Sequence, residues 1–271
     1  MNAAQSVIRL EAVEVIAGKK HLLTDVTLLV RPQERVAIIG ANGAGKTTLL
    51  KTLTGMVLPV SGSVDVLGKS VSARTDAVEL RQLRSRIGQV FQGLHLVNRL
   101  SALENVLIGG LGRSQSILTC ARIFSAAERD RAQAALEAVG IGHKAAVRVD
   151  RLSGGERQKV AVARALNQEP DLILADEPTA NLDPVAAGEI AELLARIAAD
   201  RKVTLITVAH TLSLLPDLAE RIVGLKAGRI VFDQPIDAID QARLRQLYKD
   251  DDQDMASAPR ASTEMNRIMN R

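Results

Sequence analysis

One cysteine, Cys120, stands in a chain of 271 residues, so no disulfide can form within it. That fits a reducing compartment without establishing one, and the thiol itself is expected to be inert. Aromatic residues are almost as scarce: Phe91, Phe124, Phe232 and Tyr248 are the whole set, and tryptophan is absent. A protein that stacks single-stranded bases on aromatic platforms is therefore not expected. Basic residues never run to five in a row, although 35 Lys and Arg against 31 Asp and Glu leave a net charge of +4. This balance fits a mild attraction to polyanions and gives no indication of nucleic-acid binding. No apolar stretch approaches the roughly 20 residues of a membrane span. The start, MNAAQSVIRLEAVEV, lacks a basic segment followed by an apolar block. The expectation is a soluble chain without a secretory leader.

Hydrophobic residues are plentiful, at 46%, and the length suits one large domain or a domain carrying an inserted lobe. ERVAIIG ending at Gly40, DLILADE ending at Glu177 and VTLITVAH ending at His210 are short, nearly unbroken apolar runs. They read as central strands buried on both faces. Helical stretches such as KTTLLKTLTG and VAAGEIAELLARIAAD alternate with them, so the fold class is α/β with a parallel sheet. VIRLEAVEV, LLTDVTLLV and SGSVDVLG read as antiparallel strands, as does ERIVGLKAGRIVF, with Gly228 at a hairpin turn. From about Gln92 to Ala163 the pattern is helical without a convincing strand, which predicts an inserted lobe. Its clearest helix is SAAERDRAQAALEAVG, with a capping box from Ser125 and Glu128 and a stop at Gly140. From Lys249 onward the sequence is polar and aperiodic, which predicts a flexible tail over 250–271.

Chemistry concentrates where strands end. GANGAGKTT, from Gly40 to Thr48, fits a phosphate-binding loop between a strand and a helix. Gly43 and Gly45 let backbone N–H groups converge on phosphate oxygens, Lys46 neutralises the terminal phosphates and Thr47 supplies a hydroxyl for Mg²⁺. The whole loop, Gly40, Ala41, Asn42, Gly43, Ala44, Gly45, Lys46, Thr47 and Thr48, is expected to hold nucleotide. Asp176, at the end of LILAD, is placed to hold the Mg²⁺ shell, and Glu177 is the candidate general base for an attacking water. A second cradle follows in DRLSGGERQKVAVARAL, where Ser153, Gly154, Gly155 and Glu156 open a helix whose dipole favours an anion. Read alone, SGG is only a helix cap, which leaves a second phosphate loop unexplained.

The ordered set GANGAGKT, Gln92 in GQVFQG, LSGGE, LILADEP, NLDP and His210 resembles the ATP-binding subunits of ABC transporters, over about Val7 to Tyr248. The resemblance implies a P-loop NTPase core with an antiparallel β subdomain and a helical subdomain at about 93–163, within a nucleotide-binding domain at 6–249. It implies that Gln92 senses the γ-phosphate and Mg²⁺. Asn181, Leu182 and Asp183 form a loop crossing to a partner, and His210 helps organise the attacking water. Lys46, Gln92, Glu177 and His210 are thus the expected catalytic set, and Thr47, Gln92 and Asp176 the metal set. LSGGE would complete the ATP site of a second copy, so the resemblance implies a homodimer sandwiching two ATPs. It also implies two membrane permease subunits, an external binding protein and a place on the cytoplasmic face of the inner membrane.

Within that family, FQGLHLVNRLSALENVLIGGLGR is similar to the phosphonate importer subunits, and phosphite importers share the likeness. Leu94, Leu96, Val97 and Leu100 could line a permease groove or belong to the core. Two departures stand out. The family's adenine-stacking aromatic aligns with Ile16, which predicts weakened nucleotide affinity, with His21 nearby. Pro216 falls after His210, where it interrupts a helix or marks its start. The alternative, a soluble ABC ATPase acting on DNA or ribosomes, usually needs a long coiled coil or two cassettes, and 271 residues hold neither. A catalytically silent module is countered by the presence of Lys46, Asp176, Glu177 and His210. An importer for another small solute stays open.

Overall fold

The structure is a computed structural model that describes residues 6–113 and 124–239 together with Leu244 and Leu247. The expectations for Cys120, Tyr248 and the 250–271 tail lie outside the described residues. Ten strands are present among those described: β1 (Ile8–Ala17), β2 (Lys20–Val30), β3 (Arg35–Ile39), β4 (Ser61–Val66), β5 (Lys69–Ser70), β6 (Ile87–Val90), β7 (Leu172–Asp176), β8 (Thr204–Val208), β9 (Arg221–Lys226) and β10 (Arg229–Pro235). The helices are α1 (Lys46–Leu53), α2 (Ala77–Ser85), α3 (Ala102–Gly109), α4 (Ala126–Ala138), α5 (Gly154–Leu166), α6 (Pro184–Arg201) and the short α7 (Leu215–Leu218).

The strands form two sheets. One runs in the order β2-β1-β4-β5, antiparallel throughout; the other runs β10-β9-β3-β8-β7-β6. In the second, β6, β7, β8, β3 and β9 are parallel and β10 returns antiparallel. The β9–β10 hairpin turns through Ala227 and Gly228, both with positive φ (46° and 76°), as a two-residue turn matching strand twist requires.

Side chains alternate across a strand, so a sheet covered on both faces is apolar at nearly every position, here with buried Thr204 and Thr207 of β8 as exceptions. The central strands show this directly. Val36, Ile38, Leu172, Leu174, Ile206 and Val208 enter one core, shared with the antiparallel sheet and α1. Ala37, Ile39, Ile173, Ala175 and Leu205 enter the other, shared with α3, α4, α5 and α6. Burying each Ile or Leu side chain is worth roughly 1.5–3 kcal/mol, which fixes the strands in one register.

Between β6 and β7 the chain leaves the sheet to build α3, α4 and α5. All three open with the same device: Ser101, Ser125 and Ser153 each accept from the N–H three residues on, while Glu104, Glu128 and Glu156 return the bond. Gly140 (φ 79°) follows the last residues of α4 as its stop. Pro216 sits in the first turn of α7, so it starts a helix instead of breaking one. Of the four leucines and valines named for a groove, Leu100 is 8% exposed and belongs to the core, because Ser101 directly after it turns the chain into α3. Leu94 and Leu96, partly buried, pack against the core shared with α3, α4, α5 and α6, and of the four only Val97 is exposed, at 45%.

Candidate functional site

Four neighbouring parallel strands, β3, β8, β7 and β6, end at one level. Ile38 and Asp176 both stand beside Val208, and Val90 beside Ala175. Each strand then releases its polar residues at the same edge: Gly40–Gly45 after β3, Ala209 and His210 after β8, Glu177 after β7, and Phe91 and Gln92 after β6. This is the carboxyl edge at which α/β sheets bind ligands.

The phosphate loop is set by close backbone packing. A Cβ on Gly40 would stand 2.1 Å from the Leu225 carbonyl oxygen, and one on Gly45 (φ 105°) 2.7 Å from that of Leu22. Neither position admits a side chain without moving backbone. Lys46 opens α1 with its side chain folded back, and Nζ donates to the carbonyls of Gly40 and Ala41 at 2.7 and 2.8 Å. The ammonium is thereby held against the loop, and Lys46 as a whole is 6% exposed.

Thr47 and Asp176 meet beside it. The Thr47 hydroxyl donates to Asp176 Oδ2 at 3.1 Å. Burial pushes the Asp176 carboxyl above its ordinary value, the Thr47 bond opposes that rise, and the Glu177 charge adds to it. Among the described residues no group of three His, Cys, Asp or Glu is placed to hold a metal ion. A cation here would draw on one hydroxyl, one carboxylate, phosphate oxygens and water, which is the hard-oxygen set that suits Mg²⁺.

Glu177 lies one residue past β7 with a positive φ of 50°, a left-handed backbone that costs roughly 1–2 kcal/mol in a non-glycine residue. The turn aims its carboxylate away from Asp176 to a separate pair of partners. Gln92 Nε2 donates to Glu177 Oε2 at 2.8 Å, and His210 Nε2 lies 2.7 Å from Glu177 Oε1. Two residues, from the ends of β6 and β8, therefore converge on one carboxylate at the end of β7.

Ser153, Gly154, Gly155 and Glu156 lie elsewhere, at the start of α5. Ser153 Oγ accepts from the Glu156 N–H at 3.2 Å, and Glu156 Oε2 accepts from the Ser153 N–H at 2.9 Å. The other Glu156 oxygen pairs with Lys144; that ammonium first, then the Ser153 amide, hold the carboxyl below its ordinary value. Gly154 and Gly155 face Leu182 and Ala186, where an added Cβ would meet side chains at 3.4 and 3.5 Å. Asp183 is the N-cap of α6, accepting from Val185 and Ala186 N–H groups at 3.1 and 3.0 Å. Its carboxylate is engaged locally, while Asn181 (φ 61°) shapes the turn before it.

Two residues that no sequence pattern singled out hold the loop behind Gln92. Asn105 in α3 brackets Val97, accepting from its N–H at 2.7 Å and donating to its carbonyl at 3.1 Å. Arg164 in α5 donates to the carbonyls of Leu94 and His95, both at 2.6 Å.

An α/β domain with a phosphate loop after one parallel strand, a lysine folded against that loop and a carboxylate pair at the end of β7, two strands away in the sheet, is a P-loop ATPase. Residues 23–180 match the ABC transporter family, and the chain belongs to it. It is 48% identical over 232 residues to the phosphonates import ATP-binding protein PhnC of Anaeromyxobacter dehalogenans, covering 86% of this chain and 46% of that one. This chain thus spans less than half the length of that relative. It is 43% identical to the phosphate-import ATP-binding protein PhnC of Mycolicibacterium smegmatis, covering 86% and 88% of the two chains. Among solved structures, the dimeric post-hydrolysis state of the ATP-binding cassette MJ0796, bound to ADP and phosphate, superposes with a TM-score of 0.74 at 30% identity, over 84% of this chain and 98% of that one.

Proposed function

We propose that this chain is the ATP-hydrolysing subunit of an importer for phosphonate, phosphite or a related phosphorus oxyanion. The observation that carries the ATPase half is the Glu177 carboxylate gripped by Gln92 and His210 beside the phosphate loop. The cargo rests on the relatives, whose names divide between phosphonates and phosphate.

In this reading N–H groups of the Gly40–Thr48 loop and the Lys46 ammonium take the β- and γ-phosphates, and Gly40 and Gly45 let the loop pack against the Leu225 and Leu22 carbonyls. Thr47, Asp176 and Gln92 would hold Mg²⁺, which when bound would neutralise charge on the phosphates. Glu177 accepts the proton of a water that attacks the γ-phosphorus, and the bond to the β–γ bridging oxygen breaks as ADP leaves. His210 and Gln92 fix the Glu177 carboxylate against rotation, so the base meets the water in one orientation.

The second cradle takes the same γ-phosphate from the other side, in another copy. A head-to-tail pair about a two-fold axis would set the Ser153 hydroxyl and the Gly154 and Gly155 amides of each chain over the phosphate loop of its partner, with Asp183 and its neighbours between. The dimeric relative supports this arrangement. Two permease subunits would dock on this pair. A mostly apolar groove lined by Leu50, Thr54, Met56, Val90 and Phe91 beside Thr47 and Asp176 offers them a place. Among the described residues no helix is long and apolar enough to cross a membrane. In this reading the subunit works peripherally, on the cytoplasmic face of the inner membrane, and an external binding protein delivers the cargo to the permeases.

Growth of a strain lacking the chain, complemented with it, on phosphonate, phosphite or phosphate as sole phosphorus source tests the cargo. Restored growth on phosphonate or phosphite, lost again with Lys46→Ala, is expected. Restoration on none of the three would overturn the importer assignment.

A further inference from the structure

Gln92 reaches Glu177 from the first turn of a loop whose backbone is unusual. Leu94 and His95 are consecutive non-glycine residues with positive φ, 55° and 48°. Neither side chain favours that conformation, so it persists only where surrounding groups impose it. The groups doing so are visible. Arg164 extends its guanidinium to the two carbonyls of these same residues, with Nη2 on Leu94 and Nη1 on His95, both at 2.6 Å. The guanidinium is partly buried, and that burial pushes its pKa down, so the charge is desolvated in order to serve two backbone oxygens.

The side chain is also held from behind. At Gly109 in α3 an added Cβ would stand 2.3 Å from the Arg164 carbonyl oxygen and 2.8 Å from its Cγ. Helices α3 and α5 therefore cross with the stem of Arg164 pressed between them. Ser153 caps the other end of α5, eleven residues before Arg164, or about 16 Å along the helix axis. One helix, α5, thus begins at the second phosphate cradle and in its last turn reaches the loop that carries Gln92.

The geometry points to Arg164 as the positioning residue for the Gln92–Glu177 contact: its fork holds the left-handed turn at 94–95 that aims the Gln92 amide at the base. It touches no reacting atom and acts only through Gln92. This rests on the ATPase reading above. A lysine at 164 presents a single ammonium that cannot serve both carbonyls in fixed geometry, so the role requires the planar fork.

A double-mutant cycle tests it. In the wild-type background Arg164→Met is expected to lower kcat for phosphate release about tenfold with little change in KM for ATP, as a misaligned contact would. In a Gln92→Ala background, where there is no amide left to aim, the same substitution is expected to change kcat less than twofold. An equal loss in both backgrounds, or no loss in the first, would overturn the inference. If the methionine variant fails to fold, Arg164→Lys runs the same cycle with the stem retained and is expected to show the same loss of coupling. Urea midpoints of the four proteins give a readout that needs no turnover. The two stability losses are expected to be less than additive, and full additivity contradicts the inference even if the chain is inactive. Absence of phosphate release from the wild type would instead sink the ATPase reading.

Discussion

Replacing Glu177 by glutamine removes a base while leaving both of its contacts satisfiable. In the structure the carboxylate accepts from Gln92 at 2.8 Å and faces His210 Nε2 at 2.7 Å. A glutamine at 177 with Oε1 toward Gln92 and Nε2 toward His210 keeps the first bond as it is. It makes the second by donating to the neutral imidazole, which accepts at Nε2 in one tautomer. The packing change is one atom, so the shift in unfolding free energy should stay within about 0.5 kcal/mol, as for substitutions that strand no polar group. The chemistry loses far more. General-base catalysis contributes typically 10²–10⁴-fold, or about 2.7–5.4 kcal/mol at 1.36 kcal/mol per tenfold. Phosphate release at saturating ATP and Mg²⁺ should therefore fall by at least about 100-fold, while gel filtration shows an ATP-stabilised dimer accumulating. Turnover within threefold of wild type would remove Glu177 from the base's role. Loss of both turnover and dimer would mean that the carboxylate holds structure first.

Two further outcomes follow from the same site. Burial raises the Asp176 carboxyl above its unfolded value, so its neutral form favours the fold, and that contribution is lost as pH rises through the raised folded value. Without nucleotide, Asp176→Asn should thus raise the melting temperature at pH 7 and leave it unchanged near pH 3.5; an equal effect at both would refute burial as the cause. Ile16, 36% exposed, stands directly across the β1–β2 pair from His21, with Leu22 bulged out between the paired positions and its carbonyl against Gly45. Ile16→Tyr should tighten ATP binding by roughly tenfold, since base stacking is worth about 1–3 kcal/mol; no gain measured by titration would show that the base does not reach this face.

The strands, the phosphate loop, the hairpin at Gly228 and the Ser125–Glu128 cap were legible because each is encoded within a few neighbouring residues: a fully apolar run, a glycine where φ is positive, an acceptor three residues from a donor. The convergence of Gln92, Glu177 and His210 was legible only through likeness to a family, since 85 and 33 residues separate the partners. Arg164 was not legible at all. Its partners are backbone carbonyls of Leu94 and His95, which no side-chain pattern announces, in a turn whose left-handed positions follow Gly93 and are not themselves glycine or asparagine. Asp183 reads differently in place: the cap it forms on α6 follows from Pro184 at the first helical position, a local signal outweighed by the loop motif around it.

The central claim is that the second phosphate cradle serves another copy's nucleotide. Mixing two hydrolysis-silenced chains, Glu177→Gln with Ser153→Arg and Glu177→Gln with Lys46→Ala, builds one intact composite site per heterodimer and none in either homodimer. Analytical ultracentrifugation with radiolabelled ATP should show dimer in the mixture, with one tightly held ATP per pair, and monomer in each chain alone. A mixture that stays monomeric and binds no more ATP than its parts would contradict the claim.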